Sequence, residues 1–374
     1  MGGVRDEKMG GRAFHGSCFM YNHSGCLAQG ETSAKAACIM EYTTGRVLFE
    51  SDMHARLPMA STTKVMTALL AIERGKPQDK VTCSERAFGV SGTSVYLQKG
   101  ETLTLEQMLL GLMLSSGNDA AVAIAEHIGG TMENFVALMN ARAKELGAVN
   151  TRFANPHGLP QEGHYTTAYD LALITRAAMG NESFRRLVST QRASIPWMGR
   201  GYNRQLTNKN RLLSDYPGAT GVKTGYTSKA GRCLAFGAMR EGMELVGVVL
   251  GCGDWFDEAA RLMDHCFETY SMTRALGPTL SAGQIAVEDG EQENCGMCVM
   301  ETLSVPLRAG EAAQVVLDIP QSVRAPVYPG MHLGTAKLVV DGTVYGEGEV
   351  VASERVNTRT VRMDVRRILA HWML

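Results

Sequence analysis

Apolar residues in this chain form two kinds of run. Residues 65–72, 108–114 and 119–125 are apolar on nearly every face, the pattern of helices buried inside a cluster. Residues 37–49, 220–239 and 245–250 are shorter apolar stretches broken by glycine and polar turns, and they predict an antiparallel sheet with strands from both ends of one domain. A helix over residues 257–270 closes over that sheet. The combination of a helical cluster spanning about 61–190 with an antiparallel sheet predicts an α+β domain over residues 31–275. A change of composition near 275–290 follows. Beyond it, residues 302–307, 313–318 and 338–345 alternate like strands between Gly and Pro turns, so a small all-β domain is expected over 276–360. The last residues, 361–374, place apolar groups at 361, 365, 368, 369, 372 and 373 with basic groups between them. This predicts a short amphipathic helix, either packed on its own domain or lying on an anionic membrane surface.

Composition narrows the function classes. The 374 residues are 45% hydrophobic and 20% charged, with a formal net charge of −1, so no basic field points to nucleic acid. Nine cysteines cannot all pair within one chain. Cys295 and Cys298 form a lone C-x-x-C without a second pair, which argues against zinc and leaves a local disulfide or two free thiols; Cys38, Cys233 and Cys252 sit in apolar stretches as small hydrophobes. Residues 1–30 are leader-like or disordered. They hold Arg5, Lys8 and Arg12, but lack the continuous apolar core of a signal peptide, and Ser24-Gly25-Cys26 is a poor lipidation site because His23 precedes it.

The chemistry resides in three short segments: Ser61-Thr62-Thr63-Lys64, Ser116-Gly117-Asn118 and Lys223-Thr224-Gly225. Ser61 and Lys64 stand three residues apart, on one face of a helix that starts at the serine, so the helix N-terminus also favours a developing oxyanion. A serine hydroxyl needs a base. Lys64 can serve once burial and a neighbouring cation such as Lys223 pull its pKa down from about 10.4 toward neutrality. Ser116 lies in a tight loop between two apolar helices and can relay a proton, while Asn118 offers an amide to a substrate carbonyl. Gly225 lets an extended peptide approach a strand edge, where Lys223 and Thr224 meet a terminal carboxylate. Taken singly, these segments read as a chance tetrapeptide, a helix cap and a surface turn; together they make an acyl-transfer site. His157 and His164 are read as structural, since Lys64 already fills the position of the base.

These segments resemble the D-alanyl-D-alanine carboxypeptidase family, the low-molecular-mass penicillin-binding proteins. Thr44-Gly45-Arg46, Pro58-Met59-Ala60-Ser61, Asn155-Pro156-His157-Gly158-Leu159 and His164-Tyr165-Thr166-Thr167 extend the likeness over about 33–270. The resemblance implies a transpeptidase-like domain followed by a β-module. It makes Ser61 the acyl-ester nucleophile, Lys64 its proton acceptor and Ser116 the relay. Asn118, Lys223, Thr224, Gly225 and Tyr226 would bind substrate, with the backbone N–H groups of Ser61 and Tyr226 as oxyanion hole. No cofactor or metal is implied. The implied partners are peptidoglycan stem peptides and β-lactams, at an extracytoplasmic site on the outer face of the membrane; the oligomeric state is not implied. Some relatives bind the carboxylate with an arginine beyond the following strand, but here that region reads Gly251-Cys252-Gly253-Asp254-Trp255, and the next arginine is Arg261. A β-lactamase would add a Glu-x-x-Leu-Asn segment, which is absent between Asn118 and Lys223, and a non-turnover penicillin sensor would keep the same nucleophile.

Overall fold

The structure, a computed structural model, describes residues 31–361 and Val365. The chain opens with the hairpin β1 (Ala36–Glu41) and β2 (Val47–Ser51), then a 3-10 turn (Ala60–Thr63) leading into α1 (Lys64–Arg74). A short pair, β3 (Lys80–Thr82) and β4 (Thr102–Thr104), precedes the helices α2 (Leu105–Met113), α3 (Asn118–Gly129), α4 (Met132–Glu145), α5 (Ala168–Met179) and α6 (Glu182–Ser189). A second pair, β5 (Arg192–Ile195) and β6 (Arg204–Thr207), and the single turn α7 (Leu212–Asp215) lead to β7 (Ala219–Thr227), β8 (Gly231–Arg240), β9 (Met243–Leu250) and α8 (Trp255–Thr269). The first and last parts of this domain meet in one antiparallel sheet of order β2-β1-β9-β8-β7, as the sequence pattern predicts.

Both faces of the sheet are covered, which is why β1 and β9 are buried at every position and are apolar apart from Glu41 and Glu244. Cys38, Met40, Val246, Val248, Cys233 and Ala235 point into the helical cluster around α1. The alternate positions Ala37, Ile39, Leu245, Val249, Leu234 and Phe236 point to the other side, where α8 lays down Ala259, Leu262, Met263 and Cys266 at helical spacing. Local signals place the helices: Thr104 and Gln107 form a reciprocal capping box at α2, and the Thr167 hydroxyl caps α5. β7 is left as an edge strand of the sheet.

The remaining strands are β10 (Tyr270–Leu276), β11 (Gly283–Glu288), β12 (Asn294–Val299), β13 (Leu303–Arg308), β14 (Gln314–Asp318), β15 (Ser322–Arg324), β16 (His332–Val340) and β17 (Thr343–Ala352). β10 pairs with β13, and the others form a sheet of order β14-β16-β17-β12-β11-β15 around a third core. β10 contributes Tyr270 to the second core and Leu276 to the third. Residues 338–345, read on sequence as one strand, are the two arms of a hairpin: Asp341 (φ 48°) and Gly342 (φ 78°) are both left-handed, as a two-residue primed turn requires. Cys295 and Cys298 are free thiols, because three residues apart on β12 they face opposite sides of the sheet. The two halves of the chain are clamped at Arg46. Its guanidinium donates to the Pro306 carbonyl and the Glu311 carboxylate and lies 5.6 Å and 5.5 Å from the ring centres of Tyr270 and Tyr345. The leader-like segment and the body of the terminal helix lie outside the described residues; Val361 and Val365 are exposed.

Candidate active site

Ser61 sits in the 3-10 turn and not in the first turn of the α-helix expected there, which begins only at Lys64. The turn forms because Ala60 takes a left-handed conformation (φ 48°) and aims its carbonyl at Gly158, where a Cβ would stand only 1.9 Å from the oxygen. Side chains then fasten the turn. Thr62 Oγ1 donates to the Met59 carbonyl at 2.6 Å, and Thr63 Oγ1 donates to the Ala60 carbonyl at 2.8 Å. His164 Nδ1 accepts the Ala154 N–H at 3.0 Å, so the ring proton is on Nε2, which donates to Thr63 Oγ1 at 2.8 Å. Burial pushes the His164 pKa down to about 4, consistent with a neutral structural ring. From the other side β7 closes in: a Cβ on Gly225 would lie 2.8 Å from the Ser61 nitrogen.

Lys64 is fully buried, and its Nζ lies 3.0 Å from Ser61 Oγ, 2.8 Å from Asn118 Oδ1 and 2.6 Å from the His157 carbonyl. Burial, then the charges of Lys223 and Lys209, hold its pKa well below that of an ordinary lysine. Lys223 is equally buried; its Nζ donates to the Thr224 carbonyl at 2.8 Å, and burial followed by Lys209 lowers its pKa to about 7. Lys209 is a functional candidate that sequence reasoning missed. It lies between β6 and α7 as an exposed residue, and its charge helps to lower the pKa of both Lys64 and Lys223. The one local hint is that it is flanked by Asn208 and Asn210, whose side chains tie the loop to backbone groups.

Ser116 is buried with φ 65° in the loop between α2 and α3, and Lys64 gives its hydrogen bonds to Ser61, Asn118 and His157 instead of to Ser116. Asn118 opens α3 and is engaged at both ends, accepting from Lys64 and donating through Nδ2 to the Ser91 carbonyl at 2.7 Å. The second Nδ2 proton is what it has for a substrate carbonyl. Asp119, also missed on sequence, braces this loop: its carboxylate accepts from Ser94 Oγ at 2.6 Å and from the N–H groups of Val95 and Leu97. Tyr226 follows Gly225 and is 64% exposed, at the mouth of the site. The structure thus brings Ser61, Lys64, Asn118 and Gly225 into direct contact and keeps Lys223 as a buried charge beside them. Among the described residues, no group of three metal-ligating side chains gathers there or elsewhere.

Comparison with known proteins places the chain. Residues 24–253 match the family model described as D-alanyl-D-alanine carboxypeptidase. The chain is 36% identical over 352 residues to the D-alanyl-D-alanine carboxypeptidase DacF of Bacillus subtilis, covering 91% of this chain and 90% of that protein. It is 30% identical to DacC of Escherichia coli, over 86% of this chain and 84% of that one. Among solved structures, penicillin binding protein 5 from Haemophilus influenzae superimposes with a TM-score of 0.71 at 25% identity, covering 88% of this chain and 99% of that one. With a matched segment that carries all three motifs and relatives aligned along nearly the whole chain, the protein belongs to the D-alanyl-D-alanine carboxypeptidase family.

Proposed function

We propose that this protein is a serine-type D-alanyl-D-alanine carboxypeptidase that removes the terminal D-alanine from peptidoglycan stem peptides and is acylated by β-lactams at the same serine. One observation carries the reading: Lys64 is wholly buried, has no carboxylate within ion-pair distance among the described residues, and lies 3.0 Å from Ser61 Oγ. A buried lysine without a counter-ion is costly as an ammonium and favourable as an amine. The Lys64 amine takes the Ser61 proton as Oγ attacks the scissile carbonyl. The resulting oxyanion is held by the N–H groups of Ser61 and Tyr226. Collapse breaks the C–N bond, and the leaving D-alanine takes a proton from Lys64 through the Ser116 hydroxyl. Water then attacks the ester, with Lys64 again as base, and frees the shortened peptide. Asn118 holds Lys64 in place and turns its remaining amide proton to the peptide.

This substrate lies outside the cytoplasm, and we place the enzyme at the outer face of the cytoplasmic membrane. Among the described residues no helix is long and apolar enough to cross a membrane; the basic, apolar tail 361–374 supports contact with an anionic bilayer surface. Two folding units, 31–275 and 276–360, fit the separate cores. The test is to incubate the purified protein with an acyl-D-Ala-D-Ala peptide and count D-alanine per enzyme. Many turnovers, with a Ser61 acyl adduct trapped by acid and located by mass spectrometry, are expected. Release of one equivalent followed by a stable adduct would make the protein a sensor.

A further inference from the structure

Residues 91–98, between β3 and β4, have no regular secondary structure, yet they are tied down along most of their length. α3 supplies one set of ties. The Ser91 carbonyl accepts from Asn118 Nδ2 and the Thr93 carbonyl accepts the Asn118 N–H at 2.7 Å, while the Asp119 carboxylate takes Ser94 Oγ and the N–H groups of Val95 and Leu97. β6 supplies the second set through Arg204, which is 3% exposed. Its Nη1 donates to Glu101 Oε1 at 2.6 Å and its Nη2 to Glu101 Oε2 at 2.7 Å, the bidentate form of the pair. The same two nitrogens reach the Pro196 carbonyl at 2.5 Å and the Tyr96 carbonyl at 2.9 Å. Glu101 in turn accepts the N–H groups of Gln98 and Met198.

The frame holds a backbone that its own side chains do little to hold. Tyr96 is left-handed (φ 59°), a strained conformation for a residue other than glycine, and its ring is 71% exposed. Its carbonyl on Arg204 and its N–H on Ser94 Oγ keep it in place. What the loop carries is an orientation. The Ser91 carbonyl can only accept a hydrogen bond, so the end of the Asn118 amide that meets it is Nδ2, and Oδ1 is thereby turned to Lys64. The reversed amide would set oxygen against oxygen at Ser91 and N–H donors against the Lys64 nitrogen. Gly92 (φ 89°) permits the close fit, since a Cβ there would stand 2.7 Å from Asn118 Nδ2.

We propose that Arg204 is a positioning residue for acylation: with Glu101 it holds the 91–98 loop against α3, so that the Ser91 carbonyl fixes the Asn118 amide with its oxygen toward Lys64. The role rests on the reaction proposed above, in which the Lys64 amine must stay aimed at Ser61 Oγ. The experiment uses Arg204→Lys, which keeps a positive charge beside Glu101 but lacks the fork that reaches Glu101, Pro196 and Tyr96 together. Thermal melting verifies folding, and if this variant does not fold, the charge-free pair Glu101→Gln with Arg204→Gln replaces it. Stopped-flow acylation by fluorescent penicillin is measured with and without Asn118→Ala. Arg204→Lys should lower the limiting acylation rate at least about tenfold with little change in the half-saturating penicillin concentration. In the Asn118→Ala background the same change should matter less than about twofold, because the group through which Arg204 acts is gone. Equal slowing in both backgrounds, or acylation of Arg204→Lys at the wild-type rate, overturns the assignment. A second readout does not need the reaction. In a ¹⁵N–¹H spectrum the Asn118 side-chain amide, identified by its loss in Asn118→Ala, should be shifted and slow to exchange in the wild type and move toward a free amide in Arg204→Lys. If the wild type is neither acylated by penicillin nor releases D-alanine, the reaction is wrong and this signal decides the positioning: movement supports it, and an unchanged signal overturns it.

Discussion

Asn118 Oδ1 accepts a hydrogen bond from Lys64 Nζ at 2.8 Å, so the lysine that faces Ser61 is held by a neutral amide where a carboxylate would be the common partner. That choice keeps the amine form within reach. Asn118→Asp would place a negative charge against Nζ and favour the ammonium. The acid limb of the penicillin acylation profile should move to higher pH, with acylation at pH 7 slowed by at least about tenfold. A limb that stays in place would mean that Lys64 does not titrate in acylation.

Ser61→Ala should abolish covalent labelling by fluorescent penicillin, because the ester needs that oxygen. Lys64→Ala should slow acylation by about 10²–10⁴, the usual range for loss of a general base. Stopped-flow labelling reads both, and a Lys64→Ala protein acylated at wild-type speed would move the base elsewhere.

The neutral His164 ring, with a pKa near 4 against about 6.5 in the unfolded chain, makes stability depend on pH. Between these values the unfolded state binds more protons, so the contribution is complete above pH 6.5 and declines as pH falls toward 4. Its full size is on the order of 3 kcal/mol. Denaturant unfolding should show a steeper loss between pH 6.5 and 4 in the wild type than in His164→Asn. His157, lowered to about 3 by burial and then by Lys64, remains in both and supplies the residual slope.

Arg46 and Glu311 form a buried pair between the two halves of the chain. Arg46→Ala would leave Glu311 to Arg308, whose backbone N–H donates to it at 3.1 Å and whose Nε stands 3.8 Å away, and should cost about 1–3 kcal/mol. Calorimetry should show a lower melting temperature, whereas replacing both partners by apolar residues should recover much of the loss. Equal melting of Arg46→Ala and wild type would mean that the clamp is not under load.

The parts of this site written in contiguous sequence were legible. Serine and lysine three residues apart before an apolar helix, and a lysine and a glycine on a strand edge, announce themselves through periodicity. Features that depend on distant backbone did not. The 3-10 turn at Ser61 needs Gly158 to make room for the Ala60 carbonyl, and Lys209 arrives from a turn with no period at all. Nothing local to Asn118 shows that Lys64 and Ser91 claim its carbonyl oxygen and one of its amide protons. The hairpin at Asp341 and Gly342 was signalled by its own turn residues but was hidden by apolar positions continuing on both sides.

Two lysines sealed beneath one wall also say when this protein becomes reactive. In an unfolded chain Lys64 and Lys223 are ordinary hydrated ammonium groups, and Ser61 is then no better a nucleophile than any other serine. An activated serine arises only as the fold strips water from both amines. The same stripping is a strain on the native state. Lys223→Met should give a protein that melts higher and acylates more slowly, the mark of a fold that has given up stability in order to keep an amine uncharged.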